Sequence, residues 1–229
     1  LKKIRWIFGK LNTVQLHLLV QQIIMGVAER KIREKEELKD QILKAAKRLF
    51  IERGFEKTSI RNIADEIEYS PGIIYHYFQD KNEIFYALHQ EGFQELRKRM
   101  EILGAVEDPM SRLKAMGRIY IQYALENADM YDLMFIIEAP IDFVVKRDDL
   151  CWIEGDSTFN LLRSTVNQCM QKGHFEGHHL EAISFLIWST VHGMVSLKIR
   201  KRVNVLDVAE VDQIIENSYN SFLLILDRC

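Results

Sequence analysis

The sequence predicts an all-α protein, built as a small N-terminal bundle of three helices followed by a larger helical domain. Three observations carry this. Prolines number only three (Pro71, Pro109, Pro140), and no Asn-Gly or Asp-Gly pair offers a hairpin turn. Long stretches have helix-forming composition, with apolar residues recurring at three- and four-residue spacing. The 48% apolar and 28% charged content of the 229 residues is that of a soluble globular chain long enough to bury a core.

The first strong helix is Glu34–Arg53, where Leu38, Ile42, Ala45, Ala46, Leu49 and Phe50 form one apolar stripe. Gly54 stops it at the position of a left-handed cap. Either Thr58 or Ser59 caps a short helix over Ile60–Ile67. Glu68-Tyr69 makes a brief turn. Ser70 then supplies a cap and Pro71 the first helical position of a segment reaching about Phe78. A longer helix follows from Asn82 to about Ile102. Beyond Gly104 we expect helices near 109–127, 128–137, 156–172, 178–200 and 208–227, with 139–149 the least regular stretch.

Residues 1–30 are expected to be an N-terminal extension, loosely ordered or non-native. Met25-Gly26-Val27 reads like a second start, and the apolar run Leu16–Ile24 is interrupted by His17, Gln21 and Gln22. It lacks the clean apolar core and cleavage site of a secretory signal. With no run of 18 apolar residues, no membrane-spanning helix and no membrane partner are expected. Cys151, Cys169 and Cys229 have neither metal nor disulfide spacing, so a reducing cytoplasm is the expected compartment.

Charge divides the chain. Residues 1–100 hold 19 Lys+Arg against 14 Asp+Glu, a net of +5, whereas 101–229 hold 12 against 19, a net of −7. Such a chain meets phosphates with its front end only. Two short helices joined by a three-residue turn, braced by a longer one, form a helix-turn-helix over 59–78. The second opens with the small residues Ser70-Pro71-Gly72, so its positive dipole end can approach a groove closely.

The stretch Ile42–Phe85 resembles the DNA-binding domain of the TetR family of repressors. The matching pieces are Ala45-Ala46-x-x-Leu49-Phe50, Gly54-Phe55, Thr58-Ser59-Ile60-x-x-Ile63-Ala64, Ser70 through Phe78, and Lys81-x-x-Ile84. The resemblance implies that Thr58 or Ser59 and Arg61 contact the DNA backbone or a base edge. It further implies that Ser70, Pro71, Gly72 and Ile73 face the groove, and that Tyr75, His76, Tyr77 and Lys81 hold phosphates. Two features depart from it or limit it: the turn position usually held by glycine is Glu68, and Pro71 has no N–H to give a phosphate.

Farther on, Trp188-x-x-x-His192-Gly193 is similar to the Trp-His-Gly subset of the same family, as is Tyr131-x-x-Met134-Phe135. These residues are either ordinary packing or the wall of a ligand cavity. The candidate ligand-binding residues are Tyr123, Met134, Phe135, Trp188 and His192. Gly193 is expected to let another helix approach closely, and Asp132, Glu138 and Asp142 to sit near the cavity mouth. Helix 208–227 shows more apolar surface than a lone terminal helix covers, so the last two helices are expected to form a two-fold homodimer.

The expectation is thus a DNA-binding unit at 31–82 and a ligand-binding and dimerisation unit at 83–229. Together they make a ligand-responsive dimeric repressor of a palindromic double-stranded DNA operator, released by a small hydrophobic or amphipathic effector. The alternative is a DNA-binding protein with no small-molecule ligand. An enzyme is not expected, since no nucleophile elbow, phosphate loop or zinc-helix motif occurs. No cofactor or metal is expected either: His174, His178 and His179 lie between glycines, with no further ligand in register.

Overall fold

The computed structural model describes residues 13–137, 153–206 and 213–228, the side chains of 13–25 and 153–154 excepted. Within these residues the chain is all-helical. Nine α-helices are described, α1 Thr13–Arg53, α2 Ile60–Glu66, α3 Pro71–Ile74, α4 Lys81–Glu101, α5 Pro109–Glu126, α6 Ala128–Phe135, α7 Ile153–Gln171, α8 Leu180–Ile199 and α9 Ile214–Leu226. Two single 3-10 turns, Ile102–Ala105 and Arg202–Val205, follow α4 and α8 and were not legible as periodic segments.

Helix α1 begins some twenty residues before the expected Glu34. Nothing in 13–53 breaks a helix except the lone Gly26, and the solvated turn is supported by the i,i+4 pairs Arg30–Glu34 at 2.7 Å and Arg33–Glu37 at 3.7 Å. Its C-terminal half does bury the expected stripe, Ile42, Ala46, Leu49 and Phe50 being almost fully enclosed. Gly54, at φ +84°, ends it and donates its N–H to the Phe50 carbonyl at 3.0 Å.

The N-terminal core is an aromatic triangle. Phe50, Phe55 and Phe85 have ring centroids 5.2–5.7 Å apart, tying α1, the loop after it and α4 together. Ile63, Ala64 and Ile74 close it from α2 and α3.

The larger domain packs α5 against α7 and α8, with α4 and α6 across it and α9 at the back. Two glycines permit the closest approaches. A Cβ on Gly92 would collide with the sulfurs of Met130 and Met134. One on Gly117 would collide with the Tyr219 ring, whose hydroxyl donates to the Lys114 carbonyl at 2.6 Å. Gly193, expected to admit a neighbouring helix, has nothing of the described chain within 4 Å of that position. No helix was expected to span a membrane. Leu180–Ile199 is long and apolar enough to do so, by length and composition only.

Candidate functional site

The face of α2 and α3 is built from local rules. Ser59, extended at φ −117°, caps α2 in a reciprocal box: it accepts from the Asn62 N–H at 3.2 Å, and its own N–H donates to the Asn62 side chain at 3.0 Å. Thr58 is turned inward. It is 2% exposed, and its hydroxyl donates to the carbonyls of Gly54 at 2.9 Å and Leu49 at 3.2 Å. The structure therefore assigns the cap to Ser59 and removes Thr58 from the exposed face, because its one donor is spent on its own chain.

The turn between α2 and α3 is a Schellman motif. Tyr69 N–H donates to the Ala64 carbonyl at 3.0 Å, and Glu68 N–H to that of Asp65 at 3.2 Å. That places Glu68 in the left-handed region at φ 61°, where glycine is favoured. Helix α3 itself is a single turn ending at Ile74, shorter than expected. The chain then tightens, Tyr77 N–H and Phe78 N–H both reaching the Ile74 carbonyl at 2.9 and 3.0 Å. The tightening turns Phe78 into the core, 4% exposed, and leaves Tyr75 57% exposed.

Arg61, Ser70, Gly72, Tyr75 and His76 are exposed on this end of the molecule, and Pro71, Ile73 and Tyr77 are half-exposed. Lys35, on α1, adds a charge 6.0 Å from the Tyr77 ring centroid. Lys81 is half-exposed, and its ammonium both donates to the Phe55 carbonyl at 2.9 Å and lies 4.2 Å from the Phe55 ring centroid. One of its three donors is thus committed, and two remain for an anion.

The second site is a cavity of about 480 Å³ bordered by α4, α5, α6, α7 and α8. Phe93, Leu96 and Met100 form one wall from α4; Met116 and Tyr120 face them from α5. Phe135 of α6 and Trp188 of α8 line it as expected, their rings 6.4 Å apart. The other three candidates do not reach the wall. Tyr123 is buried and donates to the Gly92 carbonyl at 2.9 Å, and Met134 is buried against Gly92, so both clamp α4 to its neighbours. His192 stands one layer behind, its Nδ1 2.8 Å from the Tyr120 hydroxyl and 3.2 Å from that of Tyr131.

Burial sets the protonation of this cluster. It lowers the His192 imidazole below its ordinary range, raises the Tyr131 hydroxyl to about 12 and raises Tyr120 further still. All three are therefore uncharged at neutral pH. Residues the sequence reading missed, such as Leu96, Met100, Met116 and Phe159, carry no signal that separates a cavity wall from a packed core. Asp132, expected at a cavity mouth, instead pairs with Arg200 at 2.8 Å and does not line the cavity. Glu138 and Asp142 lie outside the described residues.

Residues 42–88 match the family described as bacterial regulatory proteins, tetR family, and residues 113–220 match the Tetracyclin repressor-like C-terminal domain. The chain belongs to the TetR family. The likeness to the Trp-His-Gly subset rests on Trp188, His192 and Gly193 and on Tyr131, Met134 and Phe135.

The chain is 34% identical over 74 residues to the HTH-type transcriptional repressor Rv1474c of Mycobacterium tuberculosis. That match covers 31% of this chain and 40% of the relative, less than half its length. It is also 24% identical over 163 residues to the HTH-type transcriptional repressor AcnR of Corynebacterium glutamicum, covering 69% and 80%. Among solved structures, the regulator FadR from Bacillus subtilis in complex with stearoyl-CoA shares the fold. Its TM-score is 0.64 at 19% identity, over 81% of this chain and 96% of that one.

Proposed function

We propose that this TetR-family chain is a dimeric transcriptional repressor that binds a palindromic operator through α2 and α3 and releases it when a small hydrophobic or amphipathic molecule enters the cavity. One observation carries the reading: a single helix, α4, serves both ends. Its first residue, Lys81, ties to Phe55 behind the candidate DNA face, and its later turns put Phe93, Leu96 and Met100 on the cavity wall. A ligand that shifts those turns also shifts the tie at Lys81. The known binding of stearoyl-CoA by the structural neighbour FadR supports an apolar effector.

On this reading residues 31–82 form the DNA-binding unit, 83–229 the ligand and dimer unit, and the protein works in the cytoplasm. Ser59, Arg61, Ser70, Pro71, Gly72, Ile73, Tyr75, His76 and Tyr77 meet DNA, with Lys81 on a phosphate. The exposed apolar faces of α8 and α9 support a two-fold interface. Leu186, Thr190, Gly193 and Leu197 fall at helical spacing on one face of α8, with Leu186 55% and Leu197 52% exposed. On α9, Leu224 and Ile225 are 63% and 61% exposed, whereas Phe222 and Leu223 pack into their own subunit. This face also accounts for the apolar character of α8 without a membrane, and the open space at Gly193 suits a partner's backbone.

Gel shifts on the intergenic DNA beside the gene, with and without alkyl compounds of graded polarity, test the proposal. Specific retardation relieved by such a compound supports it. Retardation that no such compound relieves returns the protein to a ligand-free DNA binder.

A further inference from the structure

Tyr120 gives the cavity lining a polar pole, apart from Thr158 and Asp156. Tyr120, itself 5% exposed, lines the cavity, and its hydroxyl lies 2.8 Å from Nδ1 of His192. Tyr131 braces His192 from behind, donating to its backbone carbonyl at 3.3 Å. Elsewhere the described wall is apolar side chains and glycine, with the hydroxyl of Thr158 and the exposed carboxylate of Asp156. No Lys, Arg or His lines the cavity among the described residues.

From this arrangement we infer that the effector is an apolar molecule whose buried end carries one uncharged oxygen function, a hydroxyl or a ketone or ester carbonyl, hydrogen-bonded to Tyr120. The inference rests on the cavity being the effector site. A phenolic oxygen has one hydrogen and two lone pairs. His192 takes either the hydrogen or one lone pair, and the ligand takes what remains. If neutral His192 accepts at Nδ1, Tyr120 offers the ligand a lone pair and selects a hydroxyl. If His192 carries its proton on Nδ1, Tyr120 offers its hydrogen and selects a carbonyl. His192 is thus a positioning residue whose tautomer follows the ligand. A carboxylate or a quaternary ammonium at this pole would be desolvated with no countercharge, which is far more costly than burying a paired neutral group.

The test is a titration of the full chain with 1-decanol, 2-decanone, decane, decanoate and decyltrimethylammonium, read by Trp188 fluorescence in a Trp6→Phe, Trp152→Phe background. Decanol and decanone are expected to bind about fivefold more tightly than decane, the worth of one net hydrogen bond. The two ions should bind more weakly than decanol by at least about tenfold. Tyr120→Phe should erase the advantage over decane, so that decanol, decanone and decane bind alike, and should lower the melting temperature by a few degrees because His192 loses a buried partner. His192→Asn, which keeps a neutral donor and acceptor beside Tyr120, should retain most of it. Tight binding of decanoate or the ammonium compound, or an advantage that survives Tyr120→Phe, overturns the inference while leaving the cavity reading intact. Binding of none of the five overturns the cavity reading itself.

Discussion

The ammonium of Lys81 sits 4.2 Å from the centre of the Phe55 ring while donating to the Phe55 carbonyl at 2.9 Å, so one residue fastens the first turn of α4 to the loop between α1 and α2. The family resemblance alone gave Lys81 only a phosphate to hold. The structure gives it a second task, and the two can be separated. Lys81→Ala is expected to cost about 1–2 kcal/mol of stability, from a charged hydrogen bond and a cation–π contact on a half-exposed group. It should also weaken binding to every DNA sequence and lower the slope of log affinity against log salt by about 1 per subunit. Urea unfolding and gel shifts at two salt concentrations measure the two effects. An unchanged salt slope would remove Lys81 from the DNA contacts while leaving the tie in place.

Glu68 occupies the left-handed position of the turn between α2 and α3 at φ 61°. Relieving that strain with glycine is worth about 1 kcal/mol, part of which glycine returns as added freedom in the unfolded chain. Glu68→Gly is therefore expected to raise stability by about 0.5 kcal/mol. Glu68→Ala, which keeps the Cβ, should not. Chemical denaturation of both variants decides, and equal stability of the two would mean that the turn relaxes around a side chain.

The dimer prediction falls on Leu224, not on its neighbours. Phe222 and Leu223 are half-buried in their own subunit, so a charge there would unfold the domain and say little about assembly. Leu224 is 63% exposed, and Leu224→Arg should leave a folded monomer. Light scattering with circular dichroism tests this. A helical dimer would move the interface elsewhere.

Helix α1 continues upstream of the DNA-binding unit, yet the described residues 26–37 are exposed. A chain starting at Met25 is accordingly expected to keep its melting temperature and its operator affinity. A drop of several degrees, or loss of retardation, would give the upstream turns a structural part.

Most of the fold was legible because capping and periodicity are local. Gly54 and Ser70-Pro71 each mark a boundary that the structure keeps within a few residues. The choice between Thr58 and Ser59 was not legible, since both can cap and only tertiary packing turns Thr58 toward the Leu49 carbonyl. The cavity divided in the same way. Trp188 and Phe135 were found from their spacing and resemblance. Tyr123 and Met134 were misplaced, because a buried aromatic that clamps Gly92 and one that lines a void look alike along the chain. His192 fell between the two, reaching the cavity only through Tyr120.

The central claim is that the cavity and the DNA face are linked through α4, and reciprocity tests it most directly. Operator affinity should be measured with and without saturating amounts of whichever decyl compound binds tightest, and the affinity for that compound with and without operator. The account predicts that each ligand weakens the other by the same factor, about 5- to 150-fold. Operator affinity that stays unchanged while the cavity is filled would contradict it.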